Sequence, residues 1–198
     1  MESHNGLIKA INGRSGTWFT YNDGAAGGMQ SPAAMTAFTD TQLVPAVMHP
    51  MDPASPTSNW AARTNGSGYP NYAGMGFNLN DPPATGVRTT YDASKYTGFF
   101  FFAKVGSSST TNVTFAVPTK QTDAAGGICT KCGDHFGAPL TLSTSWQPNT
   151  IKFSTLSPGG WGLPMAAWDP QHVYGCTFQV PGASQFEVWV DDIYFVTP

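Results

Sequence analysis

The chain has 198 residues and carries nine Lys and Arg against twelve Asp and Glu, a formal net charge of −3. Charged residues make up only 11% and aromatics 13%, with 22 glycines and 16 prolines. Disorder is excluded because the aromatics can supply a core. Coiled coils and helix bundles are excluded because they need long periodic runs without Gly and Pro breaks. The composition suits one turn-rich all-β domain over residues 1–198. Its cations are scattered singly, which speaks against nucleic acid as a partner. No apolar run approaches the roughly 18 residues of a membrane helix, so no membrane partner is expected.

Thr17-Trp18-Phe19-Thr20-Tyr21 is rich in β-formers and stops at the turn signal Asn22-Asp23-Gly24. Residues 24–58 are mostly Gly, Ala, Pro, Ser and Met. They predict a long irregular loop region with one strand near Leu43 to Met48, a length uncommon unless functional. Asn59 to Thr64 and Gly74 to Leu79 predict two strands around a loop holding Tyr69, Pro70 and Tyr72. Tyr96 to Val105, with four consecutive Phe residues from Phe99, is the strongest buried strand. Asn112 to Pro118 alternates, which puts Val113, Phe115 and Val117 on one face. Leu140 to Thr144, Thr150 to Ser154, Val173 to Val180 and Gln185 to Thr197 complete the set. About ten short strands with long loops read as a β-sandwich.

The final strand places Phe186, Val188 and Val190 on one face and Glu187, Trp189 and Asp191 on the other. Asp191-Asp192 then interrupts an otherwise apolar run. Adjacent carboxylates inside a strand are costly unless solvated, hydrogen-bonded or bound to a cation. A hard cation such as Ca²⁺, which takes several oxygen ligands, is one answer; a solvated edge pair is the other.

Cys129, Cys132 and Cys176 are an odd set with three readings. A zinc site could draw on Cys129, Cys132, His135 and Cys176. A redox CxxC is a second reading, although the surrounding glycines do not look like a strand-to-helix entry. A local disulfide between Cys129 and Cys132 that pins a loop is the third and the one expected, with Cys176 as a small core hydrophobe.

Several segments, taken in order, resemble a known family. They are Gly13-Arg14-Ser15-Gly16-Thr17-Trp18 running into Tyr21-Asn22-Asp23, and Tyr91-Asp92-Ala93-Ser94-Lys95-Tyr96-Thr97-Gly98 entering Phe99 to Lys104. Gly126-Gly127-Ile128-Cys129 and Cys132-Gly133-Asp134-His135-Phe136 follow, then Trp146-Gln147, Gly160-Trp161-Gly162 and Phe186 to Ile193. This order resembles the galactose-binding-like jelly-roll domains of secreted bacterial carbohydrate-binding modules, family 11 above all. The resemblance implies a jelly-roll sandwich of two antiparallel sheets in a secreted or cell-surface monomer, with a catalytic domain attached to it. It also implies a structural Ca²⁺ held by Asp191 or Asp192 with an amino-terminal acid, for which Glu2 is the match. Here the family's acidic lead-in strand is shortened to Met1-Glu2-Ser3-His4, a polar start without a signal-peptide pattern.

A pyranose presents apolar C–H faces and a rim of hydroxyls, so a binder needs exposed aromatic planes and polar side chains at their edge. Trp60, Tyr69, Tyr72, Trp161 and Trp168 lie near Gly or Pro rather than in apolar runs. Together with Asp134 and His135 they form the expected ligand-binding set. Packing is the alternative for each ring, as is a buried Asp–His pair that organises its loop. No GxSxG, HExxH or P-loop occurs. Two Asp could still serve a glycosidase, and His135, His172, Tyr174 and Arg63 a lyase. The expected function is a non-catalytic module for a neutral polysaccharide, a β-glucan in first place. A polysaccharide-active enzyme and an adhesion domain without a small ligand are the alternatives.

Overall fold

Alternation of apolar and polar side chains builds the sheets. The computed structural model describes residues 6–34, 46–47, 60–82 and 84–198, with the backbone alone at 46, 47, 60, 183 and 184. Its strands are β1 (Trp18–Asn22), β2 (Met29–Ser31), β3 (Ala46–Val47), β4 (Trp60–Asn78), β5 (Gly98–Val105), β6 (Asn112–Val117), β7 (Phe136–Thr141), β8 (Gln147–Lys152) and β9 (Gly175–Val196). Two single 3₁₀ turns, Ala124–Gly126 and Phe153–Thr155, are the helical elements among the described residues. Glu2 and most of the expected strand near Leu43 to Met48 lie outside the described residues; β3 is the described part of that strand.

Strands β4 and β9 run antiparallel side by side from Ala62 opposite Val190 to Asn78 opposite Gly175, with a register shift between Tyr69 and Tyr72. On one side of that shift they join a first sheet in the order β2-β4-β9-β5-β8. On the other side they join a second sheet, β1-β4-β9-β6-β7. The inward faces of the two sheets meet. Phe99 and Phe101 of β5 each approach Phe115 of β6 with ring centroids 5.3 Å apart. Phe178 of β9 closes the cluster at 5.0 Å from Phe101 and 5.4 Å from Phe115. The chain is an all-β sandwich of jelly-roll type, and the two central strands are shared by both sheets.

The sequence predicts two strands on either side of Tyr69 to Tyr72, and again two in the segment from Val173 to Thr197. Each pair is one continuous strand. The turn signals act as a bend within a ribbon because both strands bend at the same level. Gly68 takes a left-handed φ of +80° there, and a side chain at Gly182 would collide with the Pro70 carbonyl. Pro139 and Pro148 are tolerated because β7 and β8 are edge strands, where a missing N–H costs no ladder bond.

Trp18, Phe99, Phe101, Phe115, Phe178 and Phe186 are the large side chains of the core. Cys176 sits among them fully buried, and that burial pushes its thiol well above the usual range. Its place on the inward face corrects the zinc reading, which needed Cys176 beside His135. Cys129 and Cys132 are joined in a disulfide. Among the described residues, no helix is long and apolar enough to cross a membrane.

Candidate functional site

One end of the sandwich gathers the β6–β7 connection, residues 118–135, and the connection between β8 and β9. Asp134 is buried, and its carboxylate accepts four backbone N–H groups. Gly159 donates to Oδ1 at 2.7 Å, and Gly160, Trp161 and Gly162 donate to Oδ2 at 2.9, 2.9 and 2.8 Å. Burial alone would raise its pKa, but the four amides outweigh it and hold the carboxyl below the usual value. The loop so fixed presents Trp161 at 47% exposure. A side chain at Gly133, whose φ is +99°, would press on that indole ring. The disulfide loop buttresses the same segment: Thr130 and Lys131 donate N–H bonds to the Leu163 carbonyl, and Leu163 returns one to Lys131. Lys131 Nζ lies 5.5 Å from the centre of the Trp161 ring.

Polar groups line the inner side of this loop cluster. His135 Nδ1 lies 2.9 Å from the Thr122 hydroxyl. Burial lowers the His135 pKa; Asp123 pulls it up and Arg88 pushes it down. Arg88 pairs with Asp123 at 2.6 Å, reaches Asn78 Oδ1 at 3.4 Å and lies over the Tyr174 ring at 4.4 Å. Thus Asp134, His135 and Trp161 are brought together, with Asp134 and His135 inside the cluster and Trp161 on its surface.

The remaining expected residues lie elsewhere. Tyr69 is only 6% exposed and belongs to the core. Its ring fills the space where Gly28 lacks a side chain, and its hydroxyl accepts a bond from Asn22 Nδ2 at 3.1 Å. Such a ring has no free face for a sugar. Trp168 packs edge-on against Phe136 at 5.3 Å and on Phe153 at 5.0 Å, closing the core. Tyr72, at 38% exposure, lies at the bend of β4 beside Tyr21, 6.1 Å between centroids. Asp23 clamps that bend by accepting the Asn71 N–H at 2.7 Å. The side chain of Trp60 lies outside what is described.

Asp191 is 2% exposed, and Asp192 has a left-handed φ of 47°. They occupy the register shift between β5 and β9, and the Asp192 N–H donates to Asp191 Oδ1 at 2.8 Å. The predicted interruption is therefore a bulge, which leaves a residue off the ladder. Among the described residues, no group of three or more His, Cys, Asp or Glu side chains converges. A recess of about 860 Å³ between residues 7–14 and the end of β9 reaches down to the core side chains Trp18, Phe77, Leu79 and Phe99, with Ile8 and Phe195 partly buried at its walls.

Sequence reasoning passed over the outward face of the first sheet. Arg63 and Lys104 stand opposite Trp189 on the two neighbouring strands. They lie 5.0 and 4.9 Å from its ring centre, and Lys104 also lies 5.2 Å from that of Trp146. Period-2 patterning put Trp189 on this face, but the cross-strand register that assembles its neighbours is not written in any one segment.

No family model and no curated protein sequence matches the chain. Solved structures do. A family 11 carbohydrate-binding module from Clostridium thermocellum, in complex with a β-1,3-1,4-mixed-linked tetrasaccharide, matches with a TM-score of 0.60. The identity is 16%, over 98% of this chain and 95% of that one. The family 30 module of a cellulosomal cellulase of Clostridium thermocellum matches with a TM-score of 0.53 and 19% identity, over 91% and 97% of the two chains. An exo-β-agarase matches with a TM-score of 0.53 and 11% identity over 79% of this chain, but over only 23% of its own length. The fold is that of family 11 and family 30 carbohydrate-binding modules.

Proposed function

We propose that the chain is a non-catalytic module that binds a neutral β-glucan by stacking on Trp161. The observation that carries this reading is a half-exposed indole on a loop that a buried carboxylate holds through four amides. A pre-ordered ring loses little entropy when a pyranose stacks on it. Lys131 beside it can donate hydrogen bonds to the hydroxyl rim. Asp134 and His135 act in this reading as the frame behind the ring. The fold supports it: modules with this architecture include one solved with a mixed-linkage tetrasaccharide. The module belongs outside the cell, secreted or at the surface. It is a monomer tethered to a polysaccharide-degrading enzyme, whose local concentration on the glycan it raises. The agarase shows the same architecture as one part of a longer chain.

The proposal includes a structural Ca²⁺ held by Asp191, with Asp192 and Glu2 as further carboxylates. The buried Asp191 carboxyl at a bulge supports it, because such a carboxyl is a good hard-cation ligand. Added Ca²⁺ should raise the melting temperature and chelator lower it; equal melting in both overturns the calcium part alone.

Affinity electrophoresis in gels containing mixed-linkage β-glucan, xylan or mannan tests the function. Retardation by the mixed-linkage glucan, lost in Trp161→Ala with unchanged melting, is the expected result. No retardation by any glycan overturns the proposal, and release of reducing sugar replaces it with an enzyme.

A further inference from the structure

The outward face of β2-β4-β9-β5-β8 carries a second constellation that shares no residue with the Trp161 loop. Phe100, Phe102 and Lys104 occupy alternate positions of β5, so their side chains leave the same face about 7 Å apart. Phe100 stacks on Tyr194 of β9 at 4.7 Å and 21°, and meets Phe102 edge-on at 5.3 Å. Tyr194 is 49% exposed. The row of rings ends at Lys104, whose ammonium sits between the indoles of Trp189 and Trp146.

Charge pairing on this face is uneven. Glu187 is engaged twice: its Oε1 accepts Arg63 Nε at 2.7 Å and Trp189 Nε1 at 2.9 Å. The ion pairs among the described residues are Arg63–Glu187 and Arg88–Asp123, His172 lies in hydrogen-bond contact with Asp169, and none of these includes Lys104. In a chain of net charge −3, one ammonium is thus held between two aromatic planes with no ion pair among the described residues: Glu187 is engaged by Arg63, and Asp191, across from Phe102, is buried. Past Glu187 the same sheet end opens into a groove of about 330 Å³ lined by hydroxyl and amide side chains, including Asn65, Ser67, Ser107, Ser108 and Gln185.

Rings for C–H faces, hydroxyls and amides for a polar rim, and an unpaired cation together describe one ligand chemistry. We propose that this face binds an acidic oligosaccharide, a pyranose chain whose carboxylate is received by Lys104 while Phe100, Phe102 and Tyr194 stack on its rings. The inference does not depend on the neutral-glucan reading, which concerns different residues.

Calorimetry with tetragalacturonate, at low and high salt, tests it. Wild-type protein should bind, more weakly as salt rises. Lys104→Gln should lose about tenfold or more in affinity with unchanged melting, Lys104→Arg should keep most of it, and Trp146→Ala should weaken it. Trp161→Ala should bind tetragalacturonate as wild type does, which separates this site from the β-glucan site. No binding by wild type, equal binding by Lys104→Gln, or loss in Trp161→Ala overturns the proposal. So does self-association in solution that Tyr194→Arg abolishes.

Discussion

Asp134 and His135 are neighbours in sequence and opposite in their demands. Asp134 is buried as an anion and is stable only because four amides face it. Replacing it by Asn keeps the shape but loses the charge-assisted part of those bonds, at a cost of about 2 kcal/mol. Its native pKa lies below the usual 3.8. The stability it contributes is therefore full above that value and lost as pH falls through the lowered native one. Acid titration of stability should flatten in Asp134→Asn below pH 3.8, and an unchanged acid limb would refute this assignment. His135 is held neutral by burial, with a native pKa below 6.5. The unfolded chain takes up that proton first, so stability falls as pH drops through 6.5 toward the native value. Denaturant midpoints measured above and below 6.5 should differ less in His135→Gln than in the wild type.

At the scale of elements, the disulfide and the Trp161 loop form one unit. The Cys129–Cys132 bridge has a sequence separation of 3, so closing it restricts the unfolded chain by only about 2 kcal/mol. Its larger effect is on the loop it supports through Lys131 and Leu163. The double variant Cys129→Ser, Cys132→Ser should melt only slightly lower yet show weaker retardation by β-glucan. The strands were legible where local alternation decides them, as in β6, where Val113, Phe115 and Val117 face the core. What the sequence did not disclose was pairing. Tyr69 looked like a loop residue because Gly68 and Pro70 flank it, yet a strand passes through it and Gly28 makes room for its ring. The set of Arg63, Lys104, Trp146 and Trp189 joins four distant segments, and only the register brings them to one place. The CxxC spacing, by contrast, is local, and it showed itself as a short closed loop.

On the scale of the whole molecule, one aromatic cluster holds the two sheets together. Phe115 touches Phe99, Phe101 and Phe178 and has no exposed surface. Phe115→Ala should destabilise the protein by about 3–5 kcal/mol in chemical denaturation, since the cavity opens between layers that cannot collapse independently. A loss below 1 kcal/mol would mean the sheets do not rely on that contact. The composition that first suggested a turn-rich β domain thus divides into two parts. Phe99, Phe101, Phe115 and Phe178 are interior, while Trp161, Tyr194 and Tyr72 are partly in solvent.

The shared strands also set the order of events during synthesis. β9 is the middle of both sheets, and its partners in β4 lie roughly a hundred residues earlier in the chain. β1 to β8 leave the ribosome before it, and until β9 follows, β4 with its neighbours β1 and β2 has no strand joining it to the β5–β8 and β6–β7 pairs. Until then the Phe-rich β5 lacks its central neighbour. A chain built this way offers a holding chaperone exposed aromatic strands until its last central strand is in place, and few afterwards.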